Sequence, residues 1–259
     1  MPFTVSHVAA VLPLRCIRRL PLAGLAVGAM SPDLEYLFQL GTARSISHSV
    51  PGVVLLDLPL ALLALGLAGL AAPGLATLVP ARWPEAAARL RTWRPPWSSP
   101  AAAVWLVIAI VIGALNHVVV DEFTHATGAG VELIPQFDGP VTVAGRTLPL
   151  YRWLQYGLSV GWLGVLAVVC VRWWRTIRPP VVSAGPPLEW PKVAIGIAFV
   201  GITAMAAIAQ AMTTVSSPGF DRTTAVMLVI GAWRAGALML VGLGAAARGL
   251  ATLDLDRRW

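Results

Sequence analysis

The chain has 259 residues, of which 57% are hydrophobic and 12% charged, with a formal net charge of +7. A soluble domain carries about twice that charged fraction, and several apolar runs exceed the ~20 residues that cross a bilayer, so the composition predicts a polytopic membrane protein. The positive balance, nearly all arginine with Lys192 the one lysine, falls in clusters beside apolar runs, where it orients helices and meets anionic lipid rather than nucleic acid.

Residues 3 to 14 predict a short apolar helix interrupted by Ser6-His7. It is long enough for about half a bilayer, so it lies at the interface or is half inserted. Arg15, Arg18 and Arg19 follow this stretch rather than precede it, the reverse of a secretory signal peptide. Residues 20 to 40 are apolar but broken by Ser31-Pro32-Asp33-Leu34-Glu35. A proline after a serine suits the first turn of a helix, so two short helices are expected to meet there. Broken backbone and carboxylates at membrane depth are tolerated only around a protein-lined cavity.

A polar loop follows, Arg44-Ser45-Ile46-Ser47-His48-Ser49, then a spanning run over 52 to 79 with Asp57 near its start. Residues 80 to 100, rich in Pro, Trp and Arg, predict a loop, and residues 101 to 125 a spanning helix. Residues 126 to 152 are Gly-rich and predict an extramembrane hairpin or lid. Further spans are expected at 154 to 174, 192 to 213 and 223 to 247, before a polar tail. The predicted fold is an all-α transmembrane bundle of about five full spans plus the half-inserted N-terminal segment. It divides into a site-bearing part (1–125), a loop or lid (126–152) and three further helices with the tail (153–259). Cys16 and Cys170 are too few and too separated for a disulfide framework or a cysteine zinc site. The loops at 80–99 and 172–192 and the tail hold most of the arginines. The positive-inside rule makes that face cytoplasmic and sets His48, Asp121 and His125 toward the outer one.

The chemistry concentrates in Asn116-His117-Val118-Val119-Val120-Asp121-Glu122-Phe123-Thr124-His125. His117, Asp121 and His125 stand at i, i+4 and i+8, on one helical face, and a histidine and a carboxylate one turn apart can share a metal ion. With His7, Asp33, Glu35 and His48 they form a set of ionisable groups in apolar surroundings, where such groups are costly and usually functional. Imidazole with carboxylate is the donor mix of zinc, manganese and iron sites, and a set this size can hold more than one ion. Asp121 or Glu35 could be ligand or general base. The competing structural readings are a helix–helix polar pair for His117 and Asp121, helix caps for Asp33, Glu35 and His125, and a hydrogen-bonded core residue for His7. Glu122 points away from the Asp121 face and reads as an interfacial charge. Asp57 and Arg234 are further intramembrane charges that could pair, orient ligands or, for Arg234, receive a phosphate.

Four motifs in order, Ser6-His7, Pro32-Asp33-Leu34-Glu35, Ser47-His48-Ser49 and Asn116-His117-x-x-x-Asp121, resemble those of a bacterial membrane family of unknown function that begins Met-Pro-Phe-Thr-x-Ser-His. That family is similar to inner-membrane metal-dependent hydrolases, and both are distantly like zinc-dependent phospholipase C and single-strand nucleases. The hydrolase pattern runs His, Pro-Asp-x-Asp, Thr-His-Ser, Ser-His-x-x-x-Asp. Here Ser47 replaces its Thr, Asn116 its Ser and Glu35 its second Asp. The resemblance covers mainly residues 1 to 125 and implies His7, Asp33, His48, His117 and Asp121 as metal ligands. The expected activity is metal-dependent hydrolysis of a lipid or other membrane-proximal phosphoester, with zinc or manganese as cofactor, in the inner membrane. The alternative is a non-enzymatic protein that uses the same groups as a proton or metal-ion relay. A purely structural polar core ranks last.

Overall fold

The computed structural model describes residues 4–35, 44–79 and 83–176, with scattered positions between 197 and 244. Three helices are long and apolar enough to cross a membrane: Val50–Leu78 (α3), Pro100–Thr124 (α5) and Leu150–Trp173, which continues to Thr176 (α7). They match the runs expected at 52–79, 101–125 and 154–174. The two later spans fall largely outside the described residues. So do the second of the short helices expected to meet near Pro32 and the C-terminal tail.

The chain divides into two compact units, the first comprising residues 1–35, 39–65 and 95–176. It opens with a short helix His7–Val11 (α1) between two 3-10 turns, then Leu22–Met30 (α2), which runs into a 3-10 turn over Ser31–Asp33. As far as it is described, the broken apolar run is a nine-residue helix, a 3-10 turn and the helical residues Leu34 and Glu35.

The long helices start where their sequences cap them. Ser99 accepts from the Ala102 amide and Pro100 opens α5; Ser49 accepts from the Gly52 amide, with Pro51 in the first turn of α3. A serine cap satisfies an orphan amide, and proline lacks the amide that would be orphaned. Within α3 a π-helical turn covers Val53–Asp57.

The main packing is α2 on α5. Apolar helices gain little by burying carbon in lipid, so close fit and small residues decide their association. Gly24 and Gly28 on α2 and Gly113 on α5 supply that fit: a methyl at Gly28 would collide with the Ile110 carbonyl, and one at Gly113 with the Leu25 carbonyl. Val11, Leu20, Leu25, Ala29 and Ala109 fill the core beside this seam, and Val53 packs on Ala114 and Val118.

After α5 the chain forms a short helix Ala129–Leu133 (α6) and a two-stranded hairpin, Pro140–Val143 (β1) with Arg146–Pro149 (β2). Ala144 and Gly145 both take positive φ at its tip, the left-handed pair that a two-residue hairpin turn needs. The Trp153 indole donates to the Val141 carbonyl and ties the hairpin to α7. Glu122 accepts from the Ala129 amide at the start of α6.

The second unit comprises residues 36–38, 66–94 and 177–259. Its described part corrects one expectation. Residues 80 to 100 are not all loop, because Pro84–Thr92 forms a helix (α4). Pro84 starts it instead of breaking it, Glu85 sits in its first turn and Arg89 and Arg91 in its last, the order that suits the helix dipole.

Candidate metal centre

The first unit gathers all seven of the sequence-marked residues. His7 comes from α1, Asp33 and Glu35 from the turn after α2, and His48 from the loop before α3. His117, Asp121 and His125 come from the end of α5. His7 and His117 are fully buried, and Asp33, Glu35 and Asp121 are at most 5% exposed.

Asp121 is the hub. Its Oδ1 lies 3.7 Å from His7 Nε2, and its Oδ2 lies 3.4 Å from His48 Nε2, 3.6 Å from His117 Nε2 and 3.5 Å from His125 Nδ1. Asp33 Oδ1 is 3.7 Å from His48 Nε2 and 3.9 Å from His117 Nε2. These gaps are too long for good hydrogen bonds, which close at about 2.7–3.2 Å. Two donors on one tetrahedral ion at about 2.0–2.1 Å stand roughly 3.3–3.4 Å apart, so the spacing suits atoms that share a cation. Two overlapping triads can each hold an ion, His7–His117–Asp121 and Asp33–His48–His117.

Neighbouring groups fix how the imidazoles face. His117 Nδ1 lies 2.8 Å from the Ala29 carbonyl and donates to it, which leaves its Nε2 lone pair turned to the carboxylates. The Ser47 hydroxyl donates to Glu35 Oε1 at 2.8 Å and lies 2.8 Å from His48 Nδ1. A hydroxyl that gives its proton to the carboxylate accepts from His48 Nδ1–H, so Nε2 of His48 also carries its lone pair inward. The Thr4 hydroxyl donates to Asp33 Oδ2 at 2.7 Å, which leaves Oδ1 for the centre. The Nε2 atoms of His7, His48 and His117 have no hydrogen-bond partner among the described residues. The His7 and His117 rings stack 3.8 Å apart. Burial first, and the neighbouring His117 second, push His7 down to about 3, so it stands neutral, the form that binds metal. The donor set fits a divalent transition metal: three buried imidazole nitrogens and two carboxylates, each held by a partner outside the cluster or facing the others.

Glu35 reaches this centre through Ser47 rather than as part of either triad. His125 lies at its edge, bonded through Nε2 to the Gln155 amide of α7 at 3.1 Å. Four contributors escaped the sequence reading. Thr4 and Ser47 stood inside the quoted motifs but passed as spacers. Gln155 and Trp162, whose ring meets His7 edge-on, lie in a span that showed no motif, although a glutamine in an apolar run is itself a signal.

Fold and centre define a mainly helical chain with three helices of membrane-crossing length and a buried imidazole–carboxylate cluster. The chain belongs to a family described as a domain of unknown function (DUF4184), whose family model matches residues 1–247. No curated protein and no solved structure matches it.

Proposed function

We propose that this protein is an integral-membrane, metal-dependent hydrolase, a phosphoesterase that acts on a lipid or another membrane-proximal phosphoester. One observation carries the reading: the Nε2 atoms of His7, His48 and His117 are buried without hydrogen-bond partners among the described residues and converge on Asp33 and Asp121 at 3.4–3.9 Å. The order of the motifs, which resembles that of the inner-membrane metal-dependent hydrolases, directs it toward hydrolysis. About five helices cross the inner membrane in this reading, with the segment around α1 half inserted and the centre in the extracytoplasmic half, opposite the arginine-rich loops.

His7, Asp33, His48, His117 and Asp121 hold zinc or manganese. A divalent ion in such a donor set supplies charge neutralisation at a phosphoryl oxygen and acidifies water. The chain itself supplies preorganisation: the Ala29 carbonyl and the Glu35–Ser47 pair lock two imidazoles before any ligand arrives. Glu35 is thus a positioning residue, and Asp121 is a ligand rather than the general base.

The test is elemental analysis of the detergent-purified protein beside the double variant His117→Ala/Asp121→Ala. The expected result is zinc or manganese near stoichiometry in the parent, lost in a variant that still elutes as a folded species, with phosphoester cleavage by the parent alone. A parent that stays metal-free after reconstitution with each ion would end the hydrolase reading and leave the cluster as a proton relay.

A further inference from the structure

Between α5 and α7 two consecutive apolar side chains stand in the open. Leu133, which ends α6, is 80% exposed, and Ile134 is 39% exposed. Scattered single exposures need no partner, but the level of this pair is fixed by what it rests on. Phe123, next to the last residue of α5, meets the Phe137 ring at 5.7 Å, and a methyl added to Gly130 of α6 would strike the same ring. The Leu150 amide, which opens α7, donates to the Gly139 carbonyl at 3.0 Å, and the Trp153 indole donates to the Val141 carbonyl at 2.9 Å. α6 and the hairpin are therefore held against the adjoining ends of both long helices. α7 carries its own depth marks. From Trp153 to Trp173 the helix rises about 30 Å, the thickness of the hydrocarbon core. Tryptophans gather at the two membrane–water interfaces, and Val160, Val165 and Val168 lie exposed between these two, as lipid-facing residues would.

The buried cluster hangs from the same marks. Gln155, two residues inside Trp153, bonds His125 through its amide at 3.1 Å. Trp162, deeper along α7, meets the His7 ring edge-on at 5.6 Å. His125 thus stands at the Trp153 level and His7 below it. His125 is also the most open of the seven side chains, at 17%, while the others are at most 5% exposed. The way into the cluster is at His125. We propose that Leu133 and Ile134 are an interfacial anchor, inserted among the upper acyl chains of the leaflet that holds Trp153, and that the mouth of the cluster at His125 opens in the headgroup layer of that leaflet. The partner of this surface is the lipid bilayer itself. Glu132 and Asp138 are exposed on either side of the pair, and carboxylates are costly among acyl chains, so the insertion is shallow. Whatever enters the cluster, ion or phosphoester, approaches it through lipid headgroups.

The test is a depth measurement on the full-length protein in phospholipid nanodiscs. Cys16 and Cys170, both exposed, are replaced by serine, and a nitroxide is attached to Leu133→Cys, Ala126→Cys or Val160→Cys. All three positions are exposed, so the label fits without disturbing the core. Depth is read from accessibility to oxygen against a water-soluble nickel chelate, calibrated with lipids that carry the nitroxide at the headgroup or along the acyl chain. The expected order is Val160 deep, Leu133 in the upper acyl region and Ala126, beside His125, at the headgroup. A Leu133 label as open to the chelate as one beyond the headgroups overturns the anchor. An Ala126 label in bulk water, or as deep as Val160, overturns the placement of the mouth. A Val160 label outside the acyl region overturns both, together with α7 as a span. The measurement needs no metal, so its failure leaves the metal centre standing, and a metal-free cluster leaves the anchor standing.

Discussion

At the scale of single residues, the orientation of the cluster's imidazoles depends on groups outside both triads. Ser47 bridges Glu35 and His48 with two 2.8 Å contacts, and its hydroxyl decides which His48 nitrogen carries the proton. Partners of this kind change metal affinity by about 10–100-fold when removed. Ser47→Ala is therefore expected to weaken zinc binding by that factor, read by chelator competition, while the protein stays folded. Ser47→Thr keeps the hydroxyl and should bind like the parent. Equal affinity in Ser47→Ala would remove the relay from Glu35. These roles were only partly legible in the sequence. His7, Asp33, His48, His117 and Asp121 stand out because ionisable groups are conspicuous in apolar runs. Thr4 and Ser47 are ordinary residues whose partners lie 29 and 12 positions away, a distance that no local pattern reports.

At the scale of elements, the seam between α2 and α5 sets the geometry of the site. Its glycines let the backbones approach closely enough for the Ala29 carbonyl to meet His117 Nδ1 at 2.8 Å. Gly28→Leu must push the helices apart; overpacking of this sort costs about 1–3 kcal/mol, and it carries the carbonyl away from the imidazole. Lower thermal stability and lower metal content are expected together. Gly157→Leu on α7, where no described residue lies within 4 Å of an added Cβ, should change neither. If Gly28→Leu lost stability but kept its full metal content, the seam would not orient His117. The long spans were readable from apolar length. The Gly24-x-x-x-Gly28 spacing was equally present but silent, since glycines in an apolar run attract no notice until the partner helix is known. α4 was hidden for the opposite reason: a segment rich in Pro, Trp and Arg reads as loop, although Pro84 at a first helical position is a starter.

At the scale of the whole molecule, the first unit draws its centre from segments scattered between Thr4 and Gln155. An ion that binds only the assembled unit stabilises it by mass action, about 2.7 kcal/mol at a hundredfold excess over its dissociation constant. Chelation should thus lower the melting temperature of the detergent-solubilised protein, and added zinc should restore it. The His117→Ala variant should melt at one temperature with or without metal. A parent whose melting ignores chelator would show that the cluster does not couple ions to the fold.

The bond between His117 and the Ala29 carbonyl joins positions 88 residues apart, which places the centre on a timetable during synthesis. α2 is threaded long before α5 leaves the ribosome, so the early ligands wait without their partners while the intervening chain is made. In the proposed reading, metal capture is then a maturation step that follows insertion of α5, and the metal supply of the compartment the finished cluster faces, rather than the order of affinities in solution, selects the ion.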